Sequence, residues 1–273
     1  MSSSPTRNPF DLTGHRALVT GGTQGVGAAI AVAIARAGAD VIITGLHDDD
    51  ASQQTLDRCR SLGVQAEGIT IDLAQPPDQF LPPLMRQCGQ FGPEIDLLVN
   101  NAGTFIDTPF LEMDYPRYRL TFDLNVTAGY FLTQAFAKRW ISQGRAGRVV
   151  FTGSINGMLS EPDHTAYDAS KGAVAALVRS LCVALAPHRI RVNSMAPGLV
   201  RTPLTGVLDQ NEQLDSWMKL HTPNGEVPGA EVCGDTAVFL LSDAAEHIHG
   251  QTLLVDGGMS AWQQPDVPPD WSP

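Results

Sequence analysis

The sequence has few basic residues. Eighteen lysines and arginines stand against 29 aspartates and glutamates in 273 residues, so the formal net charge is −11. Proteins that bind nucleic acid need a basic surface for the phosphate backbone, so this charge balance argues against that class of function.

Cysteines and targeting signals are also scarce. The four cysteines form no C-x-x-C pair, and they are Cys59, Cys88, Cys182 and Cys233. Such scattered cysteines are typical of reduced thiols in a cytoplasmic protein, not of a disulfide framework or a zinc site. Residues 1–10 carry no basic-then-apolar signal, and no apolar run reaches the length of a membrane span. We therefore expect a cytoplasmic protein with neither a membrane nor a nucleic-acid partner.

Short apolar runs that alternate with helical patterns dominate the rest of the chain. The predicted strands are Arg16–Thr20, Asp40–Thr44, Val64–Ile71, Asp96–Val99, Arg148–Thr152, Arg191–Met195 and Gln251–Val255. The predicted helices cover residues 28–37, 48–62, 76–90, 116–142, 167–187 and 231–242, with an interruption expected at Pro82-Pro83. This alternation predicts an α/β fold: a doubly wound parallel sheet of about seven strands with helices on both faces.

The pattern contains no internal repeat and no linker. We expect a single domain over residues 1–273, with its core in residues 10–260. Residues 199–227 form a polar, proline-punctuated segment with an amphipathic stretch at 208–220, and we call residues 199–227 the flap. The proline-rich tail Gln263–Pro273 is predicted to be extended.

Distinctive residues follow several of the predicted strands. The first strand runs into the glycine turn Gly21–Gly27, spaced G-x-x-x-G-x-G, and then into an alanine-rich helix. Such a turn lets the backbone approach a pyrophosphate at a helix start, although an ordinary strand–helix turn fits this spacing about as well. Asp72, Asn101–Gly103, Ser154 and Pro197-Gly198 lie at other strand ends. Ligands of doubly wound sheets bind at that edge, so these residues are expected to converge on one site.

The stretch Tyr167–Lys171 carries the chemistry. In a helix, residues four apart share one face, so the Tyr167 phenol would lie beside the Lys171 ammonium. A nearby cation lowers a phenol pKa and prepares it for proton transfer. Taken alone, such a pair is more often two surface residues of an ordinary helix, and the other motifs of the chain reverse that expectation. Asn125, flanked by apolar residues, is either a core hydrogen-bonding residue or part of the site.

Together these motifs closely resemble the short-chain dehydrogenase/reductase family, from about Asp11 to Met259. The glycine turn, Asp72, Asn101–Gly103, Asn125, Ser154, Tyr167/Lys171 and Pro197-Gly198 through Thr202 stand in family order. The resemblance implies an NAD- or NADP-dependent oxidoreductase that acts on a carbonyl or a secondary alcohol.

The resemblance also implies residue roles. Tyr167 would transfer the proton, Ser154 would hold the substrate oxygen, Lys171 would lower the Tyr167 pKa and bind the nicotinamide ribose, and Asn125 would hold a water. The implied cofactor contacts, besides Tyr167 and Lys171, are Gly21, Thr23, Gln24, Gly25, Val26, Gly27, Leu46, Asp72, Leu73, Asn101, Ala102, Gly103, Pro197, Gly198, Val200 and Thr202.

The residues that usually select the cofactor are absent. Gly45 stands where NAD-selective members place an acid, and Leu46 and Gln24 stand where NADP-selective members place a cation. The acidic run Asp48–Asp50 disfavours a 2′-phosphate, so the sequence favours NAD over NADP.

Other candidate residues lie at the pocket mouth. Asn156 and His164 are predicted to contact substrate, and Trp217 and Met218 of the flap to cover it. Glu226 stands where many family members have Arg, which leaves the anchoring of the flap open. His247 and His249 lack further ligands, so no metal site is predicted.

The polar flap and Asn156 favour a small sugar or polyol as substrate. Two alternatives remain open: a 3-oxoacyl thioester reductase, and a non-catalytic dinucleotide sensor. An acidic carrier protein would be repelled by this chain unless a basic patch intervenes, for which the candidates are Arg117, Arg119, Lys138, Arg139, Arg145 and Arg148. The long helices at 116–142 and 167–187 are apolar on more than one face, which predicts a homo-oligomer, with a tetramer favoured.

Overall fold

Seven parallel strands form one sheet in the order β3-β2-β1-β4-β5-β6-β7. The computed structural model describes residues 8–92, 94–203, 205–206 and 211–262. The strands are β1 Arg16–Val19, β2 Asp40–Gly45, β3 Ala66–Thr70, β4 Leu97–Asn100, β5 Gly147–Thr152, β6 Ile190–Pro197 and β7 Thr252–Val255. The order reverses between β1 and β4, so the chain crosses the sheet there and opens a crevice at the carboxyl ends.

The helices follow the strands alternately. They are α1 Gly25–Arg36, α2 Asp50–Ser61, α3 Pro77–Cys88, α4 Tyr115–Phe122, α5 Gly129–Ser142, α6 Thr165–Leu185, α7 Glu212–Leu220 and α8 Glu231–Leu241. The predicted doubly wound α/β fold is confirmed, and the strand boundaries lie within a few residues of the predicted ones.

Each face of the sheet has its own core. Alternate strand residues such as Val19 and Ile43 pack under α1, α2 and α8. Their neighbours, including Leu18 and Ile42, pack under α3, α5 and α6 around the fully buried Trp140. Because side chains alternate across a strand, strands covered on both faces read as continuous apolar runs.

The prediction that Pro82-Pro83 interrupts the third helix is wrong. Helix α3 continues through both prolines and buries Phe80, Leu84 and Cys88 along one face. The prolines remove hydrogen bonds to carbonyls of the first turn only, and Pro82 is exposed. Burial of the apolar face outweighs that local cost.

The stretch predicted as one long helix at 116–142 is helical throughout but not α-helical throughout. Between α4 and α5 the chain forms a π-helical turn, Asp123–Ala128, which contains Asn125. A π turn inserts extra backbone into a helix and is frequent at functional sites. It turns Asn125 inward, where the residue is buried.

Helix α6 departs from the expectation that no apolar stretch is long enough to span a membrane. Residues 165–188 are long and apolar enough to do so by length and composition. However, α6 packs on β6 and carries the charged residues Asp168 and Lys171. The predicted tail Gln263–Pro273 and flap residues 207–210 lie outside the described residues.

Candidate active site

The glycine turn opens a cleft at the start of α1. Helix α1 has no side-chain cap and no acid in its first turn, so its first N–H groups remain available to an anion. A Cβ on Gly27 would collide with the Gly21 carbonyl oxygen and the Asn101 amide, so only glycine permits this close packing. The turn therefore fits the pyrophosphate of a dinucleotide.

Most of the predicted cofactor residues line one cleft of about 410 Å³. The lining includes Gly21, Thr23, Gln24, Gly25, Val26, Gly27, Leu46, Asp72, Leu73, Asn101, Ala102, Gly103 and Thr202. Pro197, Gly198 and Val200 are not among the lining residues; they form the end of β6 and the segment after it. Sequence reasoning missed Ile71, Thr104 and Leu124, which also line the cleft.

Thr20 and Asn101 hold the cleft in shape. The Thr20 hydroxyl accepts from the backbone N–H groups of Asn101 at 2.9 Å and Ala102 at 3.0 Å. The Asn101 amide donates to the carbonyls of Thr20 and Gly21, and its oxygen accepts from Thr152 at 3.1 Å. The Asn101 side chain is thus occupied by scaffold contacts between β1, β4 and β5. Its spacing in the sequence gave no sign of these contacts.

The end of β2 is closed to a larger residue. A Cβ on Gly45 would collide with the Thr23 methyl group. Leu46, which is 59% exposed, follows at the cleft edge. As predicted, the acidic run caps α2: Asp49 accepts from the Ser52 N–H at 3.0 Å, and Asp48 accepts from the Gln53 amide at 2.7 Å.

Ser154, Tyr167 and Lys171 meet at the ends of β5 and α6. Ser154 follows β5 and accepts from the Asn156 N–H at 3.1 Å. The Lys171 ammonium donates to the Thr152 carbonyl at 2.9 Å and lies 5.5 Å from the centre of the Tyr167 ring. The predicted helical pairing of Tyr167 with Lys171 is therefore present.

Burial controls the electrostatics of this group. Desolvation raises the pKa of Tyr167, a hydrogen bond with Ser154 lowers it, and the charges of Asp168 and Glu161 raise it. Desolvation also lowers the pKa of the Lys171 ammonium to about 8. Burial is the largest effect on the Tyr167 pKa, and Lys171 is not among the groups that shift it. The expected lowering of the Tyr167 pKa by Lys171 therefore stays a prediction.

Asn125 ties the β4 loop to α6. Its oxygen accepts from the Thr104 N–H at 2.8 Å, and its amide donates to the Thr104 carbonyl and, at 2.9 Å, to Ser170. Ser170 in turn donates to the Tyr167 carbonyl at 2.6 Å. Asn125 is therefore linked to the Tyr167 backbone through Ser170. Its predicted role in holding a water stays a prediction.

His164 lies close to Tyr167, and the two rings share a third aromatic neighbour, Phe105. Phe105 packs edge-on against both, with ring centres 4.6 Å from His164 and 5.1 Å from Tyr167. Glu161 lies 3.3 Å from the His164 Nδ1, and Asp107 lies 3.9 Å from its Nε2. His164 therefore lies close to Tyr167, and its predicted contact with substrate stays a prediction.

Asn156 does not present a free amide to the pocket. It is buried, and its amide donates to Asp168 at 2.8 Å while its oxygen accepts from Ser154 at 3.4 Å. The prediction of a substrate contact overlooked Asp168 of α6, which accepts a hydrogen bond from this amide.

The flap is anchored through Arg201. Arg201 forms an ion pair with Asp215 of α7 and donates to the Val227 carbonyl at 3.3 Å. Lys219 also pairs with Asp215, at 2.7 Å. Trp217, predicted to cover substrate, is 51% exposed and stacks on His221. Glu226 is exposed. Arg201, through Asp215 and Val227, holds the base of the flap instead.

No group of three or more histidines, cysteines or acids that could hold a metal occurs among residues 8–92, 94–203, 205–206 and 211–262. The described site offers a phenol, an ammonium, a hydroxyl and backbone groups.

Comparison with known proteins identifies the family. A family model described as Enoyl-(Acyl carrier protein) reductase matches residues 21–260. The L-rhamnose 1-dehydrogenase (NAD(P)(+)) of a Sphingomonas species is 34% identical over 248 residues, 91% of this chain and 97% of that protein. The 3-oxoacyl-[acyl-carrier-protein] reductase of Aquifex aeolicus is 33% identical over 91% of this chain and 98% of that protein.

A solved structure agrees closely. The gluconate 5-dehydrogenase of Burkholderia cenocepacia, in complex with NADP and tartrate, has a TM-score of 0.86 at 30% identity, covering 93% of this chain and 98% of that one. The chain belongs to the short-chain dehydrogenase/reductase family. It is an NAD(P)-dependent oxidoreductase that interconverts an alcohol and a carbonyl.

Proposed function

We propose that the protein is a reversible dehydrogenase of a small sugar or polyol. The observation that carries this proposal is the polar site around Tyr167, with Ser154 beside the phenol and His164 one ring away. Hydroxyl-rich substrates need side chains that both donate and accept hydrogen bonds, and these residues supply them. A relative named for L-rhamnose, a neutral sugar, supports the same substrate class.

We assign the roles from the contacts that support them. A bound NAD(P) would supply the hydride acceptor, and Tyr167 would take the proton from the substrate hydroxyl in oxidation. Ser154 hydrogen-bonds the same oxygen and holds it near the phenol. Lys171 is fixed by Thr152, and we assign it to the nicotinamide ribose and to the charge of the phenolate. Asn125 positions α6 through Ser170.

Reduction of a carrier-bound 3-oxoacyl thioester is the second candidate, favoured by the Aquifex relative. Docking of an acidic carrier would require an unpaired basic patch. Most of the candidate residues are instead ion-paired within the chain, and the pairs are Arg117–Asp114, Arg119–Asp123, Arg139–Glu94 and Arg148–Asp243. We therefore rank this function below the sugar dehydrogenase.

The test is nicotinamide absorbance with a panel of sugars, polyols and acetoacetyl thioester. We expect turnover with at least one sugar or polyol and little with the thioester. Tyr167→Phe should lower kcat by about 10²- to 10⁴-fold and leave cofactor affinity nearly unchanged. Tyr130→Phe, at an exposed tyrosine of α5, is the matched control.

Wild-type rates in Tyr167→Phe would contradict the assignment of proton transfer. Tight cofactor binding without turnover of any substrate would favour a non-catalytic sensor.

For the cofactor, we propose a preference for NAD. Gly45 offers no acid and the Thr23 methyl blocks one, so a ribose-binding carboxylate is missing. The acidic cap of α2 follows immediately, and its charge disfavours a 2′-phosphate. Neutral groups remain to bind the adenosine ribose.

We also propose a cytoplasmic homotetramer. The described cysteines are all free, and burial raises the pKa of Cys59 to about 11 and of Cys88 to about 12, so these thiols resist oxidation. Free thiols are typical of a reducing compartment. For the assembly, the support is helix α6, whose outer face exposes residues such as Ala176, Val183 and Ala184.

A further inference from the structure

Three carboxylates lie around His164 and Asn156, close to Tyr167. We call Asp107, Glu161 and Asp168 the acidic rim. Two of them flank His164: the Glu161 oxygen lies 3.3 Å from Nδ1, and the Asp107 oxygen lies 3.9 Å from Nε2. The Asp107 and Glu161 side chains are 62% and 56% exposed, so both face solvent.

The rim is close enough to act on a bound substrate. The His164 and Tyr167 ring centres are 6.5 Å apart, with Phe105 packed against both. The charges of Asp168 and Glu161 also raise the pKa of Tyr167, so their field extends to the group that holds the substrate oxygen. A substrate oxygen held by Tyr167 is therefore exposed to the field of Asp168 and Glu161.

No basic residue balances this charge from the neighbouring segments. Residues 102–114 contain no Lys or Arg, and residues 153–170 contain only His164 as a basic group. In the flap, Arg201 and Lys219 both pair with Asp215. The undescribed flap residues and the tail Gln263–Pro273 carry no Lys, Arg or His in the sequence. Lys171 is buried against the Thr152 carbonyl.

We infer that the substrate is a neutral sugar or polyol, and that Asp107 and Glu161 discriminate against the corresponding sugar acid. The inference rests on the proposed function. Enzymes usually recognise a carboxylate through Arg or Lys, and residues 102–114 and 153–170 contain neither. Carboxylates instead accept hydrogen bonds from sugar hydroxyls, and a neutral imidazole can both donate to them and accept from them. A second negative charge in the substrate would be repelled.

The experiment compares matched neutral and anionic substrates. The pairs are D-glucitol with D-gluconate, D-glucose with D-glucuronate, and ethyl acetoacetate with acetoacetate. We expect kcat/KM for the neutral member to exceed that of its acid by about tenfold or more at low ionic strength. High salt should reduce this difference in kcat/KM between the neutral and the acidic substrate, because exposed charges are screened.

Charge-neutral variants identify the residues responsible. Asp107→Asn and Glu161→Gln should each reduce the discrimination by about threefold to fivefold, and the double variant should reduce it further. Asp57→Asn, an equally exposed acid on α2, is the control and should leave the ratio unchanged. Melting temperatures confirm that each variant is folded.

Preferred turnover of an acid over its neutral partner, or an unchanged ratio in the double variant, would overturn the inference. The keto ester and keto acid separate it from the proposed function. If no sugar or polyol reacts but the ester exceeds the acid, the sugar assignment fails and the charge selection stands.

Discussion

Lys171 is the residue whose burial has the clearest thermodynamic consequence. Desolvation lowers its pKa from 10.5 to about 8 in the folded protein. Between those two values the unfolded chain binds more protons than the folded one, so stability rises with pH. Below pH 8 the buried ammonium is charged and destabilising. The residue is therefore retained for the site and not for the fold.

We predict that Lys171→Met removes this pH dependence. The free energy of unfolding of the wild type, relative to the variant, should rise by about 2 kcal/mol from about pH 7.5 to about pH 9.5. Urea unfolding without cofactor measures it. Lys138→Met, at an exposed lysine of α5, serves as the control. A constant difference between wild type and Lys171→Met would show that Lys171 is not desolvated.

Cofactor choice is also decided by single residues. We predict that kcat/KM with NAD exceeds that with NADP by about tenfold, because the acidic cap of α2 repels the 2′-phosphate. Asp48→Asn should reduce this ratio about threefold, whereas Asp57→Asn, further along α2, should not.

A clear NADP preference would contradict that reading and point to Arg58. This residue lines a second cavity of about 440 Å³ beside Gln24 and Thr23. In that case Arg58→Gln would lower NADP turnover selectively, since a guanidinium is the usual partner of a phosphate.

At the scale of elements, the π turn decides the position of Asn125. An uninterrupted α-helix would direct the same residue elsewhere, and its three hydrogen bonds to Thr104 and Ser170 would be lost. These bonds join the β4 loop, which lines the cofactor cleft, to the helix that carries Tyr167. The extra residue of a π turn is thus used to connect the two halves of the site.

We predict that Asn125→Ala lowers the free energy of unfolding by about 2–3 kcal/mol, because Thr104 and Ser170 lose buried partners. It should also lower kcat more than it raises KM for the cofactor. Thr127→Ala in the same turn should change stability by about 0.5 kcal/mol or less. Denaturation and steady-state kinetics of both variants provide the measurement. Equal effects of the two substitutions would refute the role of the amide.

Much of this architecture could be predicted from the sequence. The buried strands are short apolar runs followed by Gly21, Asp72, Asn101 and Ser154. The edge of the sheet that holds the site could therefore be predicted from the sequence alone. The π turn was not, because apolar periodicity does not distinguish hydrogen-bonding patterns that differ by one residue. The continuity of α3 depends on tertiary packing, which buries Phe80 in the core. The orientation of Asn156 depends on its hydrogen bond to Asp168. Local sequence pattern reports neither.

At the scale of the whole molecule, the two faces of the sheet differ in how well their helices are covered. Helix α6 leaves an exposed strip of mostly small residues, and the exposed positions are Ala169, Ala176, Arg179, Ser180, Val183 and Ala184. Val183 is 77% exposed. The recurrence of about three to four residues keeps these positions on one face, opposite the face on the sheet. An apolar helix that is exposed on its outer face is expected to be covered by another subunit.

We predict that the wild type is an oligomer at micromolar concentration, most simply a tetramer built on two-fold contacts between α6 helices. Val183→Arg places a charge at such a contact twice, once from each subunit, and should dissociate it. Leu62→Arg, at an exposed leucine beyond α2, is the control and should not. Light scattering after size exclusion reports the mass of each variant. A wild-type monomer would exclude the assembly, and an intact oligomer in Val183→Arg would move the interface away from α6.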